Sequence, residues 1–166
     1  PLFEWLSSPV VYLEKGTAIK EMKRLLPKFY SPKSCLYHYL SMTKKTKKAY
    51  LTSKNVKVKK YFYALRPILA CMWIEKQKTM PPMEFEKLLR SQSLDKKLFT
   101  AIKLLLRSKR QGSELGVEKK IKIIDSFLQA SIEYYEEYIK TLNVSINTKN
   151  PTLDSLFRHV LKEYWG

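Results

Sequence analysis

Glycine is scarce in this chain, at 4 of 166 residues. With so few glycines and no runs that alternate polar and apolar side chains, the turn and pleat signals of a sheet-based fold are missing. Cysteine is as sparse. Cys35 and Cys71 lie far apart in apolar helical contexts with no close cysteine partner, which argues against a disulfide framework or a zinc cluster and for reduced cytosolic thiols. No apolar run nears the roughly 20 residues that cross a bilayer, and the N-terminus lacks the basic-then-apolar order of a signal peptide. A soluble, cytoplasmic protein is expected.

Aspartate and histidine are the next shortages. Nucleotidyl or phosphoryl transfer on divalent metal needs clustered carboxylates, because Mg²⁺ takes oxygen ligands and the phosphates need their charge neutralised. Asp95, Asp125 and Asp154 are the only aspartates, and they read as helix caps or first-turn charges. Glu84 and Glu86 point apart on a helix, and the Glu133, Glu136, Glu137 group does not read as a metal site either. His38 and His159 have no nucleophile motif beside them, and no P-loop, HExxH or GxSxG occurs. No catalytic residue and no metal ligand is expected within this chain.

What is present is apolar mass and positive charge. A composition 45% hydrophobic and 13% aromatic supplies one domain's core. The net charge of +17 is uneven. Residues 1–80 carry 17 Lys and Arg against 4 Glu, and residues 81–166 carry 15 against 11 acids. That field suits a polyanion such as RNA, DNA or a nucleoside triphosphate, and less specifically an anionic membrane surface. Lys outnumbers Arg by 26 to 6, which favours diffuse attraction over bidentate contacts.

Spacings of three and four recur along the chain and predict an all-α fold: one bundle of six or seven helices over residues 17–166. Residues 1–16 form an incoming segment whose Phe3, Trp5 and Leu6 need cover from a neighbour, and the abrupt start at Pro1 reads as a cut inside a longer protein. Thr17 caps a short helix that ends near Pro27, and Ser31 with Pro32 starts one that runs to about Thr52. Asn55 caps the next, to about Gln77, with Val58, Phe62, Leu65, Leu69 and Met72 as its seam and Pro67 as a kink or break. A short helix over about 83–90 follows, then one capped by Ser93 with Leu94, Leu98, Ile102 and Leu105 on one face, ending before Gly112 and Gly116. A long helix over about 118–142 presents Ile121, Ile124, Leu128, Tyr135 and Leu142. The last, after Asn150 and Pro151, presents Leu153, Leu156, Phe157, Val160, Leu161 and Tyr164. GSELG reads as a turn and SINTKN as a loop.

Two polar stripes carry the candidate chemistry. Lys33, Tyr37, Ser41, Lys44 and Lys48 share one side of the helix that starts at Pro32, and Lys59, Tyr63 and Arg66 share one side of the next. If the two helices pair antiparallel, the stripes converge on one groove. There lysine would neutralise phosphate, tyrosine would stack on a base, and Arg66 would grip a phosphate with two bonds.

The strings FEWLSSPVVY, FYSPKSCLYHYLSM, KKYFYALRPILACMWIE and PPMEFEKLL, over residues 3 to about 89, resemble the C-terminal region of a bacterial and phage family. Its members are predicted nucleotidyltransferases of the DNA polymerase beta superfamily, and weaker likeness continues to LDSLFRHVL. The resemblance implies a catalytic domain upstream of Pro1, with a Gly-Ser turn and an Asp-x-Asp motif that would bind Mg²⁺ outside this chain. It implies for the present helices one wall of a cleft that takes a nucleoside triphosphate, an RNA end or both, with a role in RNA repair suggested. Inside the matching blocks the candidate binding residues are Ser31, Lys33, Tyr37, His38, Lys59, Lys60, Tyr63 and Arg66. Two other readings stay open: a stand-alone nucleic-acid-binding module, and a structural bundle that docks a partner.

Overall fold

The computed structural model describes residues 2–111, 116–143 and 151–166, without the side chains of residues 3, 117, 118 and 151. The helices in chain order are α1 (Leu2–Leu6), α2 (Ala18–Phe29), α3 (Pro32–Tyr50), α4 (Val58–Gln77), α5 (Phe85–Arg90), α6 (Lys96–Arg110), α7 (Lys122–Thr141) and α8 (Pro151–Trp165). Two three-residue strands, β1 (Asn55–Lys57) and β2 (Val117–Lys119), pair antiparallel. The fold is all-α. Seven of these helices fall in residues 17–166, as expected, and α1 adds one inside the incoming segment.

Helix α4 is the axis of the bundle. Its expected seam is buried at Val58, Phe62, Leu65 and Leu69, but Tyr61, Ala64, Ile68, Ala70, Cys71 and Ile74 are buried as well. Helices α3, α5, α6 and α7 all pack on it. An element covered on most of its sides shows a weaker amphipathic signature, so the seam understated its role. Each fully buried Leu or Ile contributes about 1.5–3 kcal/mol of transfer free energy. From α7, Ile124, Leu128, Ile132, Tyr135 and Ile139 meet this core, and from α6 Leu98, Ile102 and Leu105. Where α3 crosses α4, the buried Thr43 hydroxyl lies 3.3 Å from both the Tyr39 and the Ala64 carbonyl oxygens, which satisfies it without water.

Pro67 does not break α4. Lacking an N–H, it leaves the Tyr63 carbonyl without its helical donor, while the ring itself is buried and the helix runs on to Gln77. Pro27 likewise lies inside α2, which continues to Phe29.

The helix starts follow the caps unevenly. Ser31 caps α3, its Oγ accepting from the Ser34 N–H at 3.3 Å, with Pro32 at the first position. Thr17 precedes α2 but gives no cap; its hydroxyl donates instead to Glu163 Oε2 at 2.6 Å. Asp95, not Ser93, caps α6, with Oδ1 accepting from the Lys97 and Leu98 amides. Asn55 sits in β1 rather than at the start of α4, and residues 117–119 are held in β2, so α7 begins at Lys122. Three-residue strands are too short to show a period in sequence. Gly116 lies outside any helix, while the rest of the GSELG turn, the SINTKN loop and Asn150 lie outside the described residues.

The two ends of the chain meet. Helix α8 packs on α2, Thr17 bonds Glu163, and the Tyr164 hydroxyl donates to the Lys15 carbonyl at 2.5 Å. Gly16 adopts φ +71°, and a β-carbon there would run into the Tyr164 hydroxyl, so only glycine suits the position. In the incoming segment Leu6 is buried by the domain's own residues, α1 packing on α2, whereas Trp5 remains 70% exposed. The Phe3 side chain lies outside the described residues.

Candidate functional site

The first candidate group lies along the outer side of α4. Lys59 and Lys60 open that helix, and the Lys60 ammonium sits 3.4 Å from the centre of the Tyr50 ring and 5.4 Å from that of Tyr63. Tyr50 ends α3, so the α3–α4 connection brings a lysine between two half-exposed phenol rings. Such a cluster offers aromatic faces and a charge to a planar or anionic ligand.

One turn further on, Arg66 is already engaged. Its guanidinium donates to Glu4 Oε1 at 2.8 Å and to the Met83 carbonyl at 3.4 Å, and the Tyr39 hydroxyl donates to the same Glu4 oxygen at 2.7 Å. Burial alone would raise the Glu4 carboxyl, but the bonds from Tyr39 and Arg66 outweigh it and hold it below its ordinary range. Burial, and then the bond to Glu4, push the Tyr39 phenol well upward. Glu4 is thus a charged clasp between α1, α3 and α4. No local pattern in sequence pointed to it, since 62 residues separate it from Arg66.

The second group lies on α3 but on another side. Tyr37 and Tyr39 are two residues apart, about 200° around the helix. With Tyr39 turned to Glu4 and Arg66, the Tyr37 stripe faces away from them. Tyr37, Ser41 and Lys44 line a furrow of about 580 Å³ whose other wall is Glu136, Glu137 and Lys140 of α7. A second furrow of about 470 Å³ shares Lys44, Lys45 and Glu136 with it and continues past Lys47, Lys48 and Thr52 to Lys120. The two stripes therefore do not converge: none of Lys59, Tyr63 and Arg66 lines these furrows. An ion pair joins Lys44 to Glu136, and Lys47 donates to Gln129 at 2.6 Å.

The remaining candidates sit in structural positions. Ser31 is the α3 cap, and Lys33 donates to the Leu142 carbonyl at 2.5 Å, at the C-terminal end of α7 where a cation suits the helix dipole. His38 is half-buried, edge-on to Tyr39 with ring centres 5.4 Å apart, and burial lowers its pKa.

Acidic side chains are engaged elsewhere too. Both Tyr134 and Tyr135 donate to Glu75, the latter at 2.7 Å, and the bond to Glu75, followed by burial, pushes the Tyr134 phenol up to about 12. Lys120 pairs with Asp125 at 3.1 Å. Among the described residues no three His, Cys, Asp or Glu side chains are grouped so as to hold a metal ion. Among the same residues, no helix is long and apolar enough to cross a membrane.

Between Glu21 and Glu75 the chain has no acidic residue at all, while Lys and Arg occur thirteen times. That stretch contains α3, β1 and nearly all of α4, hence all eight candidate residues.

The Bacillus subtilis protein YcgL, itself uncharacterised, is 39% identical over 165 residues, which is 99% of this chain and 64% of that protein. The chain thus spans under two thirds of that relative's length. No solved structure matches. The profile of a family described as the RNA repair pathway DNA polymerase beta family matches residues 1–159, and the chain belongs to that family.

Proposed function

We propose that these helices are the substrate-binding part of a nucleotidyltransferase that moves a nucleotide from a nucleoside triphosphate to an RNA or other acceptor, in RNA repair. The observation that carries the reading is the family match over residues 1–159. It is supported by the acid-free stretch between Glu21 and Glu75, which places the cationic side chains on the elements that hold the candidate residues. The metal-binding carboxylates and their Mg²⁺ belong, in this reading, to a catalytic domain upstream. YcgL, longer than this chain, has the length for one.

Within the helices, Lys59, Lys60 and Tyr63 form the wall that meets the triphosphate or the RNA end. Tyr37, beside the α3–α7 furrow, serves the acceptor, while Arg66 and His38 shape the wall from behind through Glu4 and Tyr39. Ser31 and Lys33 fix the two ends of α3 and α7 on which the wall stands. Nucleotide incorporation by the longer protein tests this. Lys59→Ala combined with Tyr63→Ala is expected to lower kcat/KM at least tenfold with the fold intact, equivalent to about 1.4 kcal/mol. Unchanged rates would remove the assigned wall.

A further inference from the structure

Several lysines that the nucleotide wall does not use are gathered at one end of the bundle. Val56, at the middle of β1, points into the core, and its neighbours on the strand point out. Lys57 is therefore outward, and Lys119, paired with the equally outward Asn55, shares that side of the two-stranded ribbon. The β2 strand leads into Lys120, which also lines the furrow beside Lys48 and Thr52. Furrow and ribbon therefore join into one surface.

Lys45, Lys48, Lys57 and Lys119 on this surface are exposed. No side chain of the four takes part in an ion pair or hydrogen bond among the described residues. From Tyr37 to Tyr50 the α3 wall alone is about 20 Å long. Its arrangement does not favour folding. Lys59 and Lys60 occupy the first turn of α4 with no acid there, the wrong sign for a helix N-terminus, and the nearby ribbon lysines add repulsion.

We infer that this surface is a binding track for the sugar-phosphate backbone of a nucleic-acid strand, held through phosphate and without regard to base sequence. Lysine suits that task as a mobile point charge, and it does not read base edges with a fixed fork. A membrane surface fits less well. Helices that lie on lipid set a broad face of Leu, Phe or Trp beside their cations. The exposed Val10–Leu13 run and the α8 face are on other elements, and what α3 exposes is Tyr37, Met42 and Tyr50. The inference deepens the nucleotidyltransferase reading by giving the acceptor strand a face of its own, and it rests on that reading only for the strand being an acceptor.

The test uses the purified protein without triphosphate, so that its failure is separate from a failure of transfer. Binding of a fluorescent 20-nucleotide single-stranded RNA of mixed sequence is measured between 50 and 200 mM salt. Lys45→Gln, Lys48→Gln, Lys57→Gln and Lys119→Gln combined should weaken binding at 50 mM salt at least tenfold. The same variant should flatten the log–log salt slope by roughly 0.7 per lost contact, about 3 in all. A variant that removes equal charge elsewhere, with Gln at Lys20, Lys76, Lys97 and Lys103, should keep nearly all of both. Equal losses in the two variants would show a response to net charge alone and overturn the track. So would binding to phosphatidylserine vesicles with none to RNA. Matching melting temperatures guard against unfolding as the cause.

Discussion

Helices α4 and α8 carry apolar side chains at equally regular helical spacing, yet they end in opposite surroundings. On α4, Leu65, Ile68, Leu69 and Ile74 are fully buried, whereas on α8 Leu153, Phe157, Leu161 and Tyr164 are 39–62% exposed. The difference teaches that periodicity identifies a face without saying what covers it. Coverage depends on how many elements converge, and four converge on α4. Among the described residues helix α8 makes more than slight contact with α2 alone of the helices, and polar bonds such as Thr17 to Glu163 tie it to the residues just before α2.

The contrast can be broken most directly by truncation. Leu65→Ala or Ile68→Ala on α4 should cost about 2–5 kcal/mol of stability in urea unfolding, and Phe157→Ala on α8 less than about 1 kcal/mol. Comparable costs at the two helices would mean that α8 is as covered as α4.

A second test concerns the clasp that ties α1 to the α3–α4 pair. Glu4→Gln strips the charge from a largely buried partner of Arg66 and should cost about 1–3 kcal/mol. The effect should depend on pH in a defined sense. Because the folded Glu4 carboxyl is held below its ordinary value, its contribution is fully present above the unfolded value of about 4.3 and is lost as pH falls through the folded one. The stability difference between the parent and Glu4→Gln should therefore be constant at neutral pH and shrink below about pH 4. A difference that grows on acidification would refute the clasp.

Smaller effects separate the caps. Asp95→Ala should cost about 1 kcal/mol and Ser93→Ala close to nothing, since only Asp95 accepts from the first-turn amides of α6. At the periphery, Glu163→Gln should shift stability by less than about 1 kcal/mol, because its bonds to Thr17 are exposed to water. Thermal melts should show the largest loss for Asp95→Ala and the smallest for Ser93→Ala.

Much of the fold was legible in the chain because helices are local. Ser31-Pro32, the α6 face and the α7 face each announce themselves within two or three turns. What escaped was non-local or too short. Asp95 outcompeted Ser93 two residues away, and β1 and β2 pair across some 60 positions with three residues each. The candidate site was legible as residue types and stripes but not as an arrangement. The stripes do not converge because Tyr39, rather than Tyr37, is on the face that α3 turns to Arg66, where Glu4 from α1 accepts from both. The engaged acids Glu4 and Glu75 gave no local signal, as their partners lie about 35–62 residues away.

The measurement that bears most directly on the functional account is photocrosslinking of the longer protein with an azido-substituted nucleoside triphosphate, followed by peptide mapping. The account predicts label on the peptide that carries Lys59, Lys60 and Tyr63, with competition by unmodified triphosphate and loss on Tyr63→Ala. Competable label confined to α8 or to the incoming segment, with the Lys59–Tyr63 peptide clean, would contradict it.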